Sequence, residues 1–68
     1  MAVMRTYYVM YIIDNYPEVF EWKTSLFELP FEIRSVKQLE TLQQNIAEKE
    51  TVSREHIKII NWSELEND

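Results

Sequence analysis

The 68-residue chain contains no glycine and no cysteine. Glycine makes up about 7% of an average protein, so its absence removes a whole class of function: no glycine loop is present to cradle a phosphate or a dinucleotide. Any backbone position with φ > 0 is expected to fall to Asn or Asp, the side chains that tolerate it best after glycine. Without cysteine there is no disulfide and no thiol chemistry. With a single histidine, His56, there is no His/Cys zinc site either. No apolar run approaches the ~20 residues of a membrane span. Positive charge is scarce, with 7 Lys and Arg against 12 Asp and Glu for a net charge of −5. That balance argues against nucleic-acid binding, which rests on Lys and Arg neutralising phosphates, and against a polybasic membrane-surface segment. The start, MAVMRTYYVMYIID, places Arg5 before an apolar run. It ends in Asp14 and lacks a small-residue cleavage site, so it reads as mature structure. Together with the lack of cysteine, this predicts a cytoplasmic protein.

A chain this short makes one domain, residues 1–68, and small domains are marginal unless disulfides, a metal or oligomerisation supplement the core. Only oligomerisation is left to this sequence. Residues 5–13 read as a first strand and DNYP, residues 14–17, as a turn. Residues 18–29 read as a second strand. In its middle Phe20, Trp22 and Leu26 share one face with Thr24, and Glu21, Lys23 and Ser25 share the other. Pro30 ends that strand, and Phe31 and Ile33 of the connector are expected to tuck against the core. Ser35 with Gln38 reads as a capping box. Val36, Leu39, Leu42 and Ile46 follow at helical spacing to about Lys49. Residues 55–62 read as a third strand, and 63–68 as a polar tail.

The predicted fold is α+β: a three-stranded antiparallel sheet, β-β-α-β in order 2-1-3, with one helix packed on one face. The first strand, TYYVMYIID, is then central, and it is apolar on both sides. We expect Tyr8, Met10 and Ile12 to face the helix with Phe20, Trp22, Leu26, Ile57 and Ile59. Tyr7, Val9, Tyr11, Ile60 and Trp62 are then left on the outer face, rimmed by Glu21 and Lys23. An exposed apolar face of this kind usually marks a contact site. The expectation is an interaction surface for a protein partner, covered by the same face of a second chain in a homodimer; the alternative is that the tail or the FEIR connector, residues 31–34, folds over it.

Candidate chemistry is sparse. Glu55 and His56 are neighbours on a predicted strand and should point to opposite faces. Ser53, Arg54 and His56 make no nucleophile constellation, and the carboxylates are scattered among Lys and Arg. The sequence predicts no catalytic residue, no cofactor and no metal, and thus not an enzyme. A different function is suggested by a candidate acidic stripe, Glu40, Glu48, Glu50, Glu64, Glu66 and Asp68, interrupted by Lys37 and Lys49. It could mimic the charge of a nucleic acid and inhibit a nucleic-acid enzyme. A solvated helix face and a solubilising tail account for the same residues.

The opening YYVMYIID and the ending HIKIINWSELE resemble small uncharacterised proteins encoded by phages and prophages of Gram-positive bacteria. Those chains begin with an aromatic-rich strand and end with a β-branched strand running into Asn, an aromatic and a Leu–Glu pair. Ile57, Ile59, Ile60, Asn61, Trp62, Leu65 and Glu66 carry that ending here. The likeness covers the two end strands, about a third of the chain. The middle departs, because that group often has glycine between its strands. The resemblance implies a small accessory protein that acts by binding in a bacterial cytoplasm, and it implies no activity.

Overall fold

A computed structural model describes residues 4–66. Strand β1 (Arg5–Asn15) and strand β2 (Val19–Leu29) form a hairpin around a three-residue turn containing a cis Tyr16–Pro17 peptide. Helix α1 (Val36–Glu50) follows, then a single 3-10 turn (Arg54–His56) and strand β3 (Ile57–Leu65). Both strand pairs are antiparallel and the order is β2-β1-β3, so the most apolar strand is central, as expected. β1 pairs with β2 without interruption from Arg5↔Leu29 to Asn15↔Val19. Its pairing with β3 carries a bulge opposite Met10 and Tyr11, where Ile60 is the extra residue. β3 runs further than expected. Ser63, Glu64 and Leu65 continue the strand instead of beginning a polar tail.

The helix forms where the capping signal places it. Ser35 is extended, and its Oγ accepts the Gln38 N–H at 3.2 Å. The reciprocal half of the box is displaced by one residue, since Gln38 Oε1 accepts the Arg34 N–H at 2.6 Å. Ser35→Ala removes the acceptor for one orphan N–H and should cost about 1 kcal/mol. An unchanged denaturant midpoint would place the helix start elsewhere. Leu42, Ile46 and Ala47 are buried, whereas Val36, expected within the apolar stripe, is 72% exposed.

The helix ends at Thr51, which sits in the left-handed region at φ 60°, ψ 45°. The expectation that Asn or Asp would take such a position is therefore corrected, for a β-branched residue occupies it. Two hydrogen bonds hold it there, Thr51 N–H to Glu48 C=O at 3.3 Å and Val52 N–H to Ala47 C=O at 3.1 Å, and Val52 packs on the core. This is the hydrogen-bond pattern that glycine normally closes. Thr51→Gly should raise stability by roughly 1 kcal/mol, because the left-handed conformation costs an L-residue ~1–2 kcal/mol and glycine gives back part of that as chain entropy. Thermal unfolding of the two proteins measures the difference.

The core joins Tyr7, Val9, Tyr11 and Ile13 of β1 to Leu29, Leu42, Ile46, Ala47 and Ile57. Val19, Phe27, Phe31, Ile33, Val52 and Ile59 pack around it, so Phe31, Ile33, Ile57 and Ile59 lie as expected. The facing of β1 is the reverse of the expectation. Tyr7, Val9 and Tyr11, read as outer-face residues, are 2%, 0% and 1% exposed and face the helix. Tyr8, Met10 and Ile12 point away from it. The cause lies at the tyrosine hydroxyls, each of which finds a partner at the rim of the core, so an inward ring leaves no polar group stranded. Tyr7 Oη accepts the Ile33 N–H at 2.9 Å and donates to Glu64 at 3.2 Å. Tyr11 Oη donates to Glu50 Oε2. No buried side-chain nitrogen or oxygen among the described residues lacks a partner.

Candidate interaction surface

The outer face of the sheet is set by register. Residues paired across antiparallel strands share a face, so Tyr8 stands with Leu26 and Ser63, Met10 with Thr24 and Asn61, and Ile12 with Trp22 and Lys58. Asp14 stands with Phe20. Trp22, Leu26 and Phe20 are the open residues, at 61%, 57% and 56% exposed, followed by Tyr8 at 43%. Ile12, flanked in its row by Trp22 and Lys58, is itself buried, and Met10 is half-buried. The apolar side of β2 therefore faces away from the helix, and its polar side faces toward it. Glu21 and Lys23, expected to rim the outer face, lie on the helix side with Ser25. Lys23 bridges Glu50 at 2.9 Å, and Lys49 donates to Ser25 Oγ while lying 5.2 Å from the Phe27 ring centroid.

Of the five residues predicted for the interaction surface, the structure brings Tyr7, Val9 and Tyr11 together in the core and leaves Ile60 and Trp62 at the surface. Ile60 is exposed at the bulge. Trp62 pairs with Val9 and is therefore on the helix side of the sheet. Alternation from Ile57 would have turned it outward, but the extra residue at the bulge reverses every side chain beyond it. Trp62 stands half-open between two hollows of about 390 and 290 Å³ that it shares with Val36 and Leu39. The open residues that sequence reasoning missed are Tyr8, Phe20, Trp22 and Leu26. The alternation of β2 had already grouped the last three, and only their direction was misread.

The ends of the outer face are charged. Lys58 Nζ lies 2.9 Å from Asp14, holding that carboxyl below its usual range, and Glu28 stands exposed beside Thr6 at the other end. On the helix side the candidate acidic stripe is broken up by partners. Glu50 accepts from Tyr11 and Lys23, and Glu64 takes Arg5 in two bonds of 2.9 and 3.0 Å. Gln44 donates to Glu48 at 3.3 Å. Glu40 and Glu66 are exposed, and Asp68 lies outside the described residues. Glu55 and His56 sit on the 3-10 turn, not on a strand. That turn corrects the expectation that they point apart, since His56 Nε2 comes within 3.9 Å of the exposed Glu55 carboxylate. Among the described residues no group of three or more potential metal ligands comes together, and no helix is long and apolar enough to cross a membrane. Comparison with protein families, curated proteins and solved structures finds no match to this chain.

Proposed function

We propose that this chain is a non-catalytic, homodimeric protein-binding module, an accessory protein of phage or prophage origin that acts on a host or phage protein in a bacterial cytoplasm. The observation that carries the reading is the open sheet face, where Trp22, Phe20, Leu26 and Tyr8 stand exposed beside one another. Aromatic residues of this kind concentrate binding energy in protein contacts. A single helix covers the other face, and no segment among the described residues crosses this one. The phage origin rests on the resemblance of the two end strands alone. Inhibition by charge mimicry finds less support, because Glu50 and Glu64 are already engaged by cationic side chains of the same chain.

The test is capture from a Gram-positive bacterial lysate on the immobilised chain, with bound proteins identified by mass spectrometry and Trp22→Glu run in parallel. A partner retained by the unmodified chain, lost on Trp22→Glu and held at high salt supports the reading. A partner that binds both chains and is released steeply by salt would favour the acidic surface instead.

A further inference from the structure

We infer that the occupant of the open face is a second copy of this chain, packed face to face about a two-fold axis that runs along β1, so that β2 of each copy lies over β3 of the other. The inference rests on the reading of that face as a contact surface. Its first support is area. Large side chains offer roughly 150–250 Å² each. At the exposures of Tyr8, Phe20, Trp22 and Leu26, with Leu65 at 40%, on the order of 500 Å² of apolar surface stands open. That lies toward the top of the ~300–600 Å² expected for the largest patch on a monomer. With the polar rim included it approaches the ~800 Å² per partner of a standard interface. An apolar centre with charges confined to its ends is the composition of homodimer contacts.

The second support is relief. In the row Trp22–Ile12–Lys58 and the row Leu26–Tyr8–Ser63, the β2 member is a large exposed apolar side chain, and the β3 member is either the short Ser63 or Lys58, whose side chain is drawn along the sheet to Asp14. The face stands high over β2 and low over β3. A two-fold axis along β1 sets high against low on both sides, which lets the sheets approach to the ~10 Å of packed sheets. An axis across the strands sets β2 on β2 and holds the sheets apart over β3. The favoured arrangement also carries the Lys58 ammonium of each copy over the Trp22 ring of the other, a contact between a cation and an aromatic face made twice by symmetry. Met10 and Ile12 meet their own copies at the axis, where an unbranched thioether adapts well to its own image.

Pairing of sheet edges is the competing geometry. At β3 it is hindered by the bulge and by Asn61, whose Oδ1 accepts the Trp62 N–H at 2.9 Å. At β2 the edge is regular and remains an outcome of the test.

Sedimentation velocity at micromolar concentration should give a dimer for the unmodified chain. Trp22→Glu with Leu26→Lys should weaken it at least tenfold while leaving the far-ultraviolet circular dichroism unchanged, since neither residue is in the core. If that variant does not fold, Trp22→Ala reads the same loss. The chain has no cysteine, so single cysteines report geometry cleanly. A mixture of Thr24→Cys and Asn61→Cys chains, which this axis sets opposite each other, should be joined by a bis-maleimide that spans one gap between sheets, and Thr24→Cys alone should not be. Thr24→Cys joined to its own copy, through the reagent or directly, would overturn the axis in favour of β2 on β2 or of edge pairing. A monomer at every concentration would overturn the second copy, and a lysate partner that such a monomer holds and loses on Trp22→Glu would leave the open face to a different protein.

Discussion

Val9→Glu should unfold the chain, whereas Trp22→Glu should leave it folded. Both replace an apolar strand residue by a carboxylate. Val9 is 0% exposed, in a core shared with Leu42, Ile46 and Ile57, so a carboxylate there enters an apolar site shut off from solvent. An uncompensated buried charge costs more than ~4 kcal/mol. A domain of this length commands only about 3–10 kcal/mol in total at 0.05–0.15 kcal/mol per residue. At Trp22 the same carboxylate points into solvent from the monomer, so its effect on monomer stability should stay within about 1 kcal/mol. Circular dichroism and a denaturant titration of the two variants check the facing of the whole sheet. The reverse result, a folded Val9→Glu and an unfolded Trp22→Glu, would turn β1 over and return the helix to the other face.

Loss of the Glu50 carboxylate should be the largest effect of any change to a charged side chain, and it should depend on pH. Glu50 is the last residue of α1, where a negative charge opposes the helix dipole. It is held there by Tyr11 of β1, which donates to Oε2, and by Lys23 of β2, 2.9 Å from Oε1, and only 13% of its side chain is exposed. One carboxylate thus ties the helix terminus to two strands. Glu50→Ala leaves the Tyr11 hydroxyl without an acceptor and leaves the Lys23 ammonium only Glu21, 3.7 Å away, and solvent; the loss should cost about 2 kcal/mol, as for hydrogen bonds to a charged group.

The pH dependence follows from the same contacts. The Tyr11 hydroxyl, with Lys23 behind it, holds the Glu50 carboxyl below its ordinary value of 4.5, against the opposing effect of burial. A carboxyl lowered on folding contributes stability that is complete above its unfolded value. That contribution is lost as pH falls through the folded one. Wild-type stability should therefore decline as the solution is acidified below about pH 4.5, and the advantage over Glu50→Gln should shrink in the same window. Asp14 and Glu32 are lowered too, by Lys58 and Arg34, but they are common to both proteins and cancel in the difference. At the alkaline end burial, followed by the Glu50 bond, raises the Tyr11 hydroxyl far above 10, so its contribution is complete below pH 10 and lost above it. An unfolding midpoint for Glu50→Gln that tracks wild type from pH 7 to pH 3 would mean that the Tyr11–Glu50–Lys23 contact contributes nothing.

The sequence by itself determined the elements and their order. Ser35 followed by Leu39, Leu42 and Ile46 specifies a capped helix locally, because capping and helical spacing act within a few residues. The turn at Pro17 specifies a hairpin, and the double apolar character of residues 6–13 puts β1 in the centre of a 2-1-3 sheet. Alternation in β2 likewise determined that Phe20, Trp22 and Leu26 share one face. Which face the helix takes was decided only by the tertiary structure. A strand that is apolar on both sides has no preferred side, and β2 misleads if its apolar side is assumed to face the core. The helix packs against β3, and what it offers above β2 is the polar pair Lys49 and Glu50. The helix side of β2 therefore has to be the polar one that meets them. The tyrosines then settle the direction of β1, because only at positions 7 and 11 do the hydroxyls reach Ile33, Glu64 and Glu50, partners that lie 26 to 57 residues away along the chain. The bulge at Ile60 is equally nonlocal. It exists only as a mismatch between two strands far apart in sequence, and it alone turns Trp62 from the outer face to the helix side.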